Sequence, residues 1–437
     1  MEKIKAEKVF LWIMLIWGLL ATFVTPPLTT GDEGYHLSIA YNIFSSEHPS
    51  TMSMRPMRDL EFEAIGGNYD GDTSTFNKKS LVIQKINLQH DGVKLNLDNS
   101  DSSFGPIDLM HLPAAFGVLL ARLVYPSVGV MDYGARIANL LFFVLSFYFL
   151  IKRRKYGKWI LVMLFTVPFM QKVASPSYDV FSYIALATYS LNLFDLALVE
   201  RFRDLKTSKI LYSLFTVLLL IFSKKNYVFA LFALPGLPLI YQPFLVSIEQ
   251  LDKKVRSFLY LISGLAAAII VYFLNGKFHL VHLFKVFFNN YIVGQFAYNA
   301  TIWSVVPTTI PNFINILWFV ALALVAVGEK GHVYKKWTAV NFALVYFINW
   351  LGIFTGFYLM KESLSSFADL SGRYLHPFMV FFIPLAQSFR KKVNLEINEK
   401  AISMIAILIT IFVLALYLFI TFYRGFILRV NPTWAYH

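Results

Sequence analysis

Long apolar runs separated by short polar stretches divide this 437-residue chain. An apolar run of roughly 17–25 residues is long enough to cross a bilayer as a helix. The pattern predicts helices over about 9–24, 134–151, 159–173, 178–198, 210–223, 227–242, 257–274, 312–327, 338–359, 374–389 and 401–422. The expectation is an all-α polytopic membrane protein, one domain over 1–437 with about eleven transmembrane helices.

Two long segments interrupt the pattern. The first, 29–133, contains an apolar stretch at 109–125 that is broken by His111, Pro113 and Arg122. If that stretch crossed, the next helix would carry Lys152-Arg153-Arg154-Lys155 to the outer side, against the rule that places basic loops inside. A helix lying at the interface is the better expectation. Within the same segment Leu81 to Leu97 alternates apolar and polar residues around Asp91-Gly92, which predicts a β-hairpin in a small cap over about 46–103. The second segment, 275–311, is rich in aromatics and Asn and is expected to be partly helical.

Composition agrees with the pattern. Hydrophobic residues make up 57% and charged residues 15%, whereas ordinary soluble domains sit near ~45–50% and ~25%. With no cysteine, disulfides, thiolate metal sites and a cysteine nucleophile are excluded. The net charge of +13 is not a nucleic-acid signal. Basic loops at 152–158, 200–209, 252–256, 329–336 and 390–400 all fall on one side if the amino end, with Lys3, Lys5 and Lys8, is inside. The first outer loop fits this: between 30 and 110 it holds twelve Asp or Glu against six Lys or Arg. The carboxyl end then lies outside. Pro26-Pro27 follows the first helix where a cleavable signal would carry small residues, so that helix is read as uncleaved.

Charges that the orientation rule does not explain carry the chemistry. Asp32, Glu33 and His36 follow the first helix, where two carboxylates and an imidazole near lipid are costly to desolvate. Arg136, Lys172, Asp179, Lys224, Lys225 and Arg373 sit at the expected outer ends of different helices. Arg and Lys hold phosphate, and a carboxylate beside them suits a base that takes a hydroxyl proton. Each also has a plainer reading. Lys172, Lys224 and Lys225 can snorkel to the interface. Asp179, and one of Asp32 and Glu33, can cap a helix. His36 stands four residues beyond Asp32, on the same expected helix face.

Four places resemble the GT-C class of membrane glycosyltransferases, most closely a bacterial branch of predicted membrane proteins of unassigned substrate. They are Pro26-Pro27 with Asp32-Glu33-x-x-His36; Gly105-Pro106-x-Asp-x-x-x-Leu-Pro113 with Arg122, Ala135-Arg136 and Asn139; Ser175-Pro-Ser-Tyr-Asp179; and Gly372-Arg-Tyr-x-x-Pro377. Ser223-Lys-Lys-Asn-Tyr227 is a looser likeness, and the stretch 46–103 has no counterpart. The resemblance implies transfer of a sugar from a polyprenyl-phosphate carrier to an acceptor (an envelope glycan, lipid or protein) at the outer face of a bacterial cytoplasmic membrane, with inversion. It casts Asp32 as base, with Glu33 as substitute, His36 as helper or metal ligand and Asp179 as second acid. Lys224, Lys225, Arg136 and Arg373 would hold the donor phosphate, and Tyr374, Tyr227 and Arg122 would touch substrate. Some members of the class use a divalent metal such as Mg or Mn; here only Asp32 and His36 are candidate ligands. A polysaccharide polymerase or ligase is one rival. A flippase or transporter is another, though the notable charges gather at one face and no internal repeat is apparent.

Overall fold

The computed structural model describes residues 5–30, 32–44, 105–289, 305–306, 310–360, 372–393 and 397–428, and the regular elements among them are helices joined by turns and extended links. The expected hairpin at 81–97 and its cap lie outside the described residues.

Helix α1 (Ala6–Val24) buries Phe10, Met14, Gly18 and Ala21 on one face and exposes Trp12, Ile16, Leu19 and Phe23 on the other. Pro26-Pro27 ends it, since proline has no N–H to continue the ladder and pushes the preceding residue out of the helical region; Thr25 is accordingly extended. A short helix, α2 (Glu33–Ile43), follows. Helices α3 (Pro106–Val124) and α4 (Val128–Arg153) form an antiparallel hairpin. Proline at the first position and the Asp108 carboxylate, which accepts the Gly105 N–H at 2.8 Å, start α3. Ser127 Oγ accepts the Val130 N–H at 3.3 Å and starts α4. Gly117 and Gly134 let the two backbones touch: a Cβ on Gly117 would stand 2.1 Å from the Gly134 carbonyl oxygen.

Helix α3 departs from the sequence expectation. It starts earlier, runs unbroken through Pro113, and is long and apolar enough to cross a membrane. The 159–173 stretch departs in the opposite way, breaking at Thr166–Pro168 into α5 (Lys158–Leu164), a 3-10 turn (Val167–Phe169) and α6 (Met170–Val173). Helix α7 (Asp179–Leu196) is buried on nearly every face, which suits its apolar residues all round.

Next come α8 (Thr207–Ile221), then a 3-10 stretch (Lys225–Gly236) bent by 48° from α9 (Pro238–Glu249) at Pro235 and Pro238. Helix α10 (Lys253–Phe278) is exposed along its length and turns at His279 into α11 (Leu280–Phe288), the helical part of the second expected outer loop. The late helices are α12 (Asn312–Gly328), α13 (Lys336–Met360), 3-10 turns at Gly372–Tyr374 and His376–Phe382, α14 (Ile383–Val393) and α15 (Glu399–Phe422).

By length and apolar character six of the described helices can cross a membrane, or seven if the bent pair is one span. The main core is aromatic: Phe10, Phe143, Phe147, Phe165 and Phe169 pack in sequence, ending on Tyr183, whose ring stacks on Phe169 at 4.2 Å. A smaller core joins Leu37, Ile39, Ala40 and Ile43 of α2 to Ala114, Ala115 and Val118 of α3 and Met131 and Ala135 of α4. That second core fixes α2, and with it Asp32, Glu33 and His36.

Candidate functional site

Two charged groups meet around the start of α2. One is closed. Arg136, with no exposed surface, sends Nε and Nη2 to the two Glu33 carboxylate oxygens at 2.8 and 2.9 Å. Its remaining N–H groups reach the carbonyls of Thr22, Thr25 and Pro26 at 3.0, 2.6 and 2.9 Å. Asp132, one turn earlier on α4, lies 2.8 Å from Nε, and Glu33 also accepts the Thr30 N–H at 2.9 Å. The guanidinium thus satisfies carbonyls orphaned at the end of α1 and ties them to the first residue of α2.

This corrects two expected roles. Arg136 has no N–H left for a donor phosphate, and Glu33, fully buried and gripped at both oxygens, cannot stand in for Asp32 as a base. Both set the path of residues 25–30, which deliver Asp32 in a left-handed conformation (φ 64°) that Asp tolerates better than most residues.

The other group is open. Asp32 Oδ2 accepts from both terminal nitrogens of Arg373 at 3.2 Å, with the side chains 57% and 27% exposed. Arg373 also donates to the Tyr374 hydroxyl at 3.2 Å and lies over that ring at 5.1 Å. Lys224 Nζ stands 4.4 Å from the same ring centroid and pairs with Asp179 Oδ1 at 2.7 Å. Lys172, buried at the end of α6, acts electrostatically on Asp32, Asp179, Lys224 and Arg373. Three cations face two carboxylates, leaving one positive charge over, with Tyr374 as a ring between Lys224 and Arg373. Asn139 holds this corner in place by donating to the carbonyls of Ser175 and Ser177 at 2.8 and 3.1 Å.

Asp32, Asp179, Lys224, Arg373 and Tyr374 are therefore brought together. Several other expected residues are placed elsewhere. Lys225 is exposed. Tyr227 is fully buried, edge-on to Phe378, so it cannot stack on a sugar. Arg122 is buried over the Tyr41 ring at 5.1 Å, where it braces α2 against α3. His36 does not pair with Asp32. Its Nδ1 meets His111 Nε2 at 2.9 Å, and its Nε2 lies 3.4 Å from Ser177 Oγ. Burial first, then His111 and the Lys172 charge, holds the His36 imidazole well below its ordinary range, so it is neutral at pH 7. Among the described residues no three His, Asp or Glu side chains come together as a metal would need, so Asp32 and His36 form no ligand set there. Cavities of 360 and 550 Å³ are lined by Val199 to Tyr212 residues and by Leu280 to Asn289 residues, away from these charges.

His111 and Asp132 join these groups without a motif in the sequence that marks them. A faint signal existed for each: His111 interrupts an apolar helix, and Asp132 stands four residues before Arg136.

Fold and site together define a polytopic helical membrane protein with a half-open cluster of ion pairs built from five separated stretches. Residues 15–279 match the family described as predicted membrane protein (DUF2142), and the chain belongs to that family. No curated protein matches it, and no solved structure does.

Proposed function

We propose that this protein is a GT-C-like glycosyltransferase that moves a sugar from a polyprenyl-phosphate carrier to an envelope glycan, lipid or protein acceptor. In this reading the chain crosses the cytoplasmic membrane about eleven times, amino end inside, carboxyl end and site outside, with α3 at the interface. The single observation that carries it is the meeting of the Asp32–Arg373 and Lys224–Asp179 pairs on the two sides of Tyr374, from stretches far apart in sequence, with Lys172 acting on both.

A phosphate-linked donor suits that layout. Arg373 can fork onto the phosphate and Lys224 and Lys172 supply charge. The acceptor oxygen bonds to the anomeric carbon as the bond from that carbon to the carrier phosphate breaks. The electron pair leaves on the phosphate, where the cations stabilise it. Asp32 takes the acceptor proton, and displacement from the opposite face inverts the carbon. Asp179 holds Lys224 in place.

Two observations favour a carrier-lipid transporter as second reading: the buried Asp132–Arg136 pair within α4 and the 48° break before α9. Purified protein given a polyprenyl-phosphate sugar and an envelope glycan, lipid and protein fraction as acceptor separates the two. Transfer predicts release of carrier phosphate, lost by at least about a hundredfold in Asp32→Asn. Movement of intact carrier across a vesicle with no release, unchanged in Asp32→Asn, would point to transport.

A further inference from the structure

The pair His36–His111 has a direction. His111 Nδ1 lies 2.7 Å from the Ile107 carbonyl oxygen, which can only accept, so this nitrogen carries the proton. Nε2 of a neutral ring is then an acceptor, and at 2.9 Å it takes the proton of His36 Nδ1. His36 Nε2 is left with its lone pair. It faces Ser177 Oγ at 3.4 Å, so the hydroxyl donates. Both rings are buried and packed edge-on to Tyr178, at 4.9 and 5.5 Å between centroids. One carbonyl thereby sets the tautomer of two histidines from helices 75 residues apart.

The chain of contacts ends where the charges gather. Ser177 Oγ also accepts the Asp179 N–H at 3.2 Å, and Asp179 holds Lys224. His111, Lys172 and Arg373 oppose a proton on His36, and Asp179 favours one. A phosphate held by Lys172 and Arg373 cancels two of the opposing charges, so donor binding makes His36 a better proton acceptor.

We infer that Ser177, His36 and His111 form a tautomer-fixed proton relay serving the proposed transfer, with His111 as its positioning residue. This rests on the transferase reading and carries onward the proton that Asp32 takes from the acceptor. As the acceptor oxygen attacks, its proton passes by way of Asp32 to Ser177 Oγ while the Ser177 proton moves to His36 Nε2. The imidazolium stays bonded through Nδ1 to His111 and gives its proton to the departing phosphate or to water.

The test has two arms on the full-length protein. Histidine labelled with ¹⁵N, assigned through His36→Gln and His111→Gln, reports the tautomers directly. Both rings should be neutral and protonated at Nδ1, the rarer form of free histidine; a His36 protonated at Nε2 overturns the relay. Turnover with a polyprenyl-phosphate sugar forms the second arm. His111→Phe should lower kcat about a hundredfold with KM unchanged, and His111→Gln, which can accept and donate at the same two places, should recover most of it. Ser177→Ala should fall and Ser177→Thr should recover. Full activity in His111→Phe, or equal loss in His111→Phe and His111→Gln at unchanged thermal midpoints, overturns the catalytic role. If the parent protein releases no carrier phosphate, the transferase reading fails and the catalytic role goes with it, while the tautomer arm still decides the hydrogen-bond chain.

Discussion

Arg136 and Arg373 are the same residue put to opposite uses on two neighbouring carboxylates, Glu33 and Asp32, at the start of α2. Arg136 has every N–H spent on five acceptors and no surface exposed. Arg373 meets one oxygen of a half-exposed Asp32 at 3.2 Å. A buried, saturated guanidinium resists rearrangement, because breaking it strands charges away from water. An exposed pair held through one oxygen is worth little, so a better-matched anion can displace it. The residue that looks least explained by membrane orientation is therefore the structural one in the first case and the candidate ligand in the second.

Substitutions can break this contrast. The largest effect should come from Arg136→Met, which leaves Glu33 and Asp132 buried without a cation and should cost about 3–5 kcal/mol, read as lost yield and a collapsed thermal midpoint in detergent. Glu33→Gln should follow at about 1–3 kcal/mol, and the protein that still folds should keep its turnover per molecule. If Glu33→Gln abolishes turnover at an unchanged midpoint, Glu33 is chemical after all and the contrast is wrong. Asp32→Asn and Arg373→Gln should each shift stability by no more than about 1 kcal/mol. Asp32→Asn should abolish turnover, whereas Arg373→Gln should raise the KM for the donor.

The smallest effect is a pH dependence. An unfolded His36 binds a proton near its ordinary value, about 6.5, while the folded ring stays neutral well below it. The unfolded state then binds more protons as pH falls below about 6.5, so this stabilisation is complete above that pH and is lost on acidification. The thermal midpoint should drop between pH 7.5 and 5.5, and less so in His36→Gln.

Asp32, Asp179, Lys224 and Arg373 are legible in the sequence as a group of charges outside the basic loops, and the structure brings them together. Roles within the group are not legible there. Arg136 and Arg373 give the same sequence signal, and nothing local says that Arg136 meets Glu33 across 103 residues. Likewise Lys224 and Lys225 are indistinguishable neighbours until the 3-10 turn points one at Asp179 and exposes the other. Pro113 misled for a related reason: its chemistry disfavours a helix interior, yet packing against α4 through Gly117 and Gly134 holds α3 unbroken.

The sequence by itself determined that the chain is helical and belongs in a membrane, because apolar length and composition act along the chain and require no partner. It also marked Asp32, Asp179, Lys224 and Arg373 as charges at helix ends outside the basic loops. Only the tertiary structure decided which charge is buried and saturated and which is partly exposed, and that His36 answers to His111 rather than Asp32. Those outcomes depend on distances between residues remote in sequence, and electrostatic energy is set by what surrounds a charge more than by what the charge is.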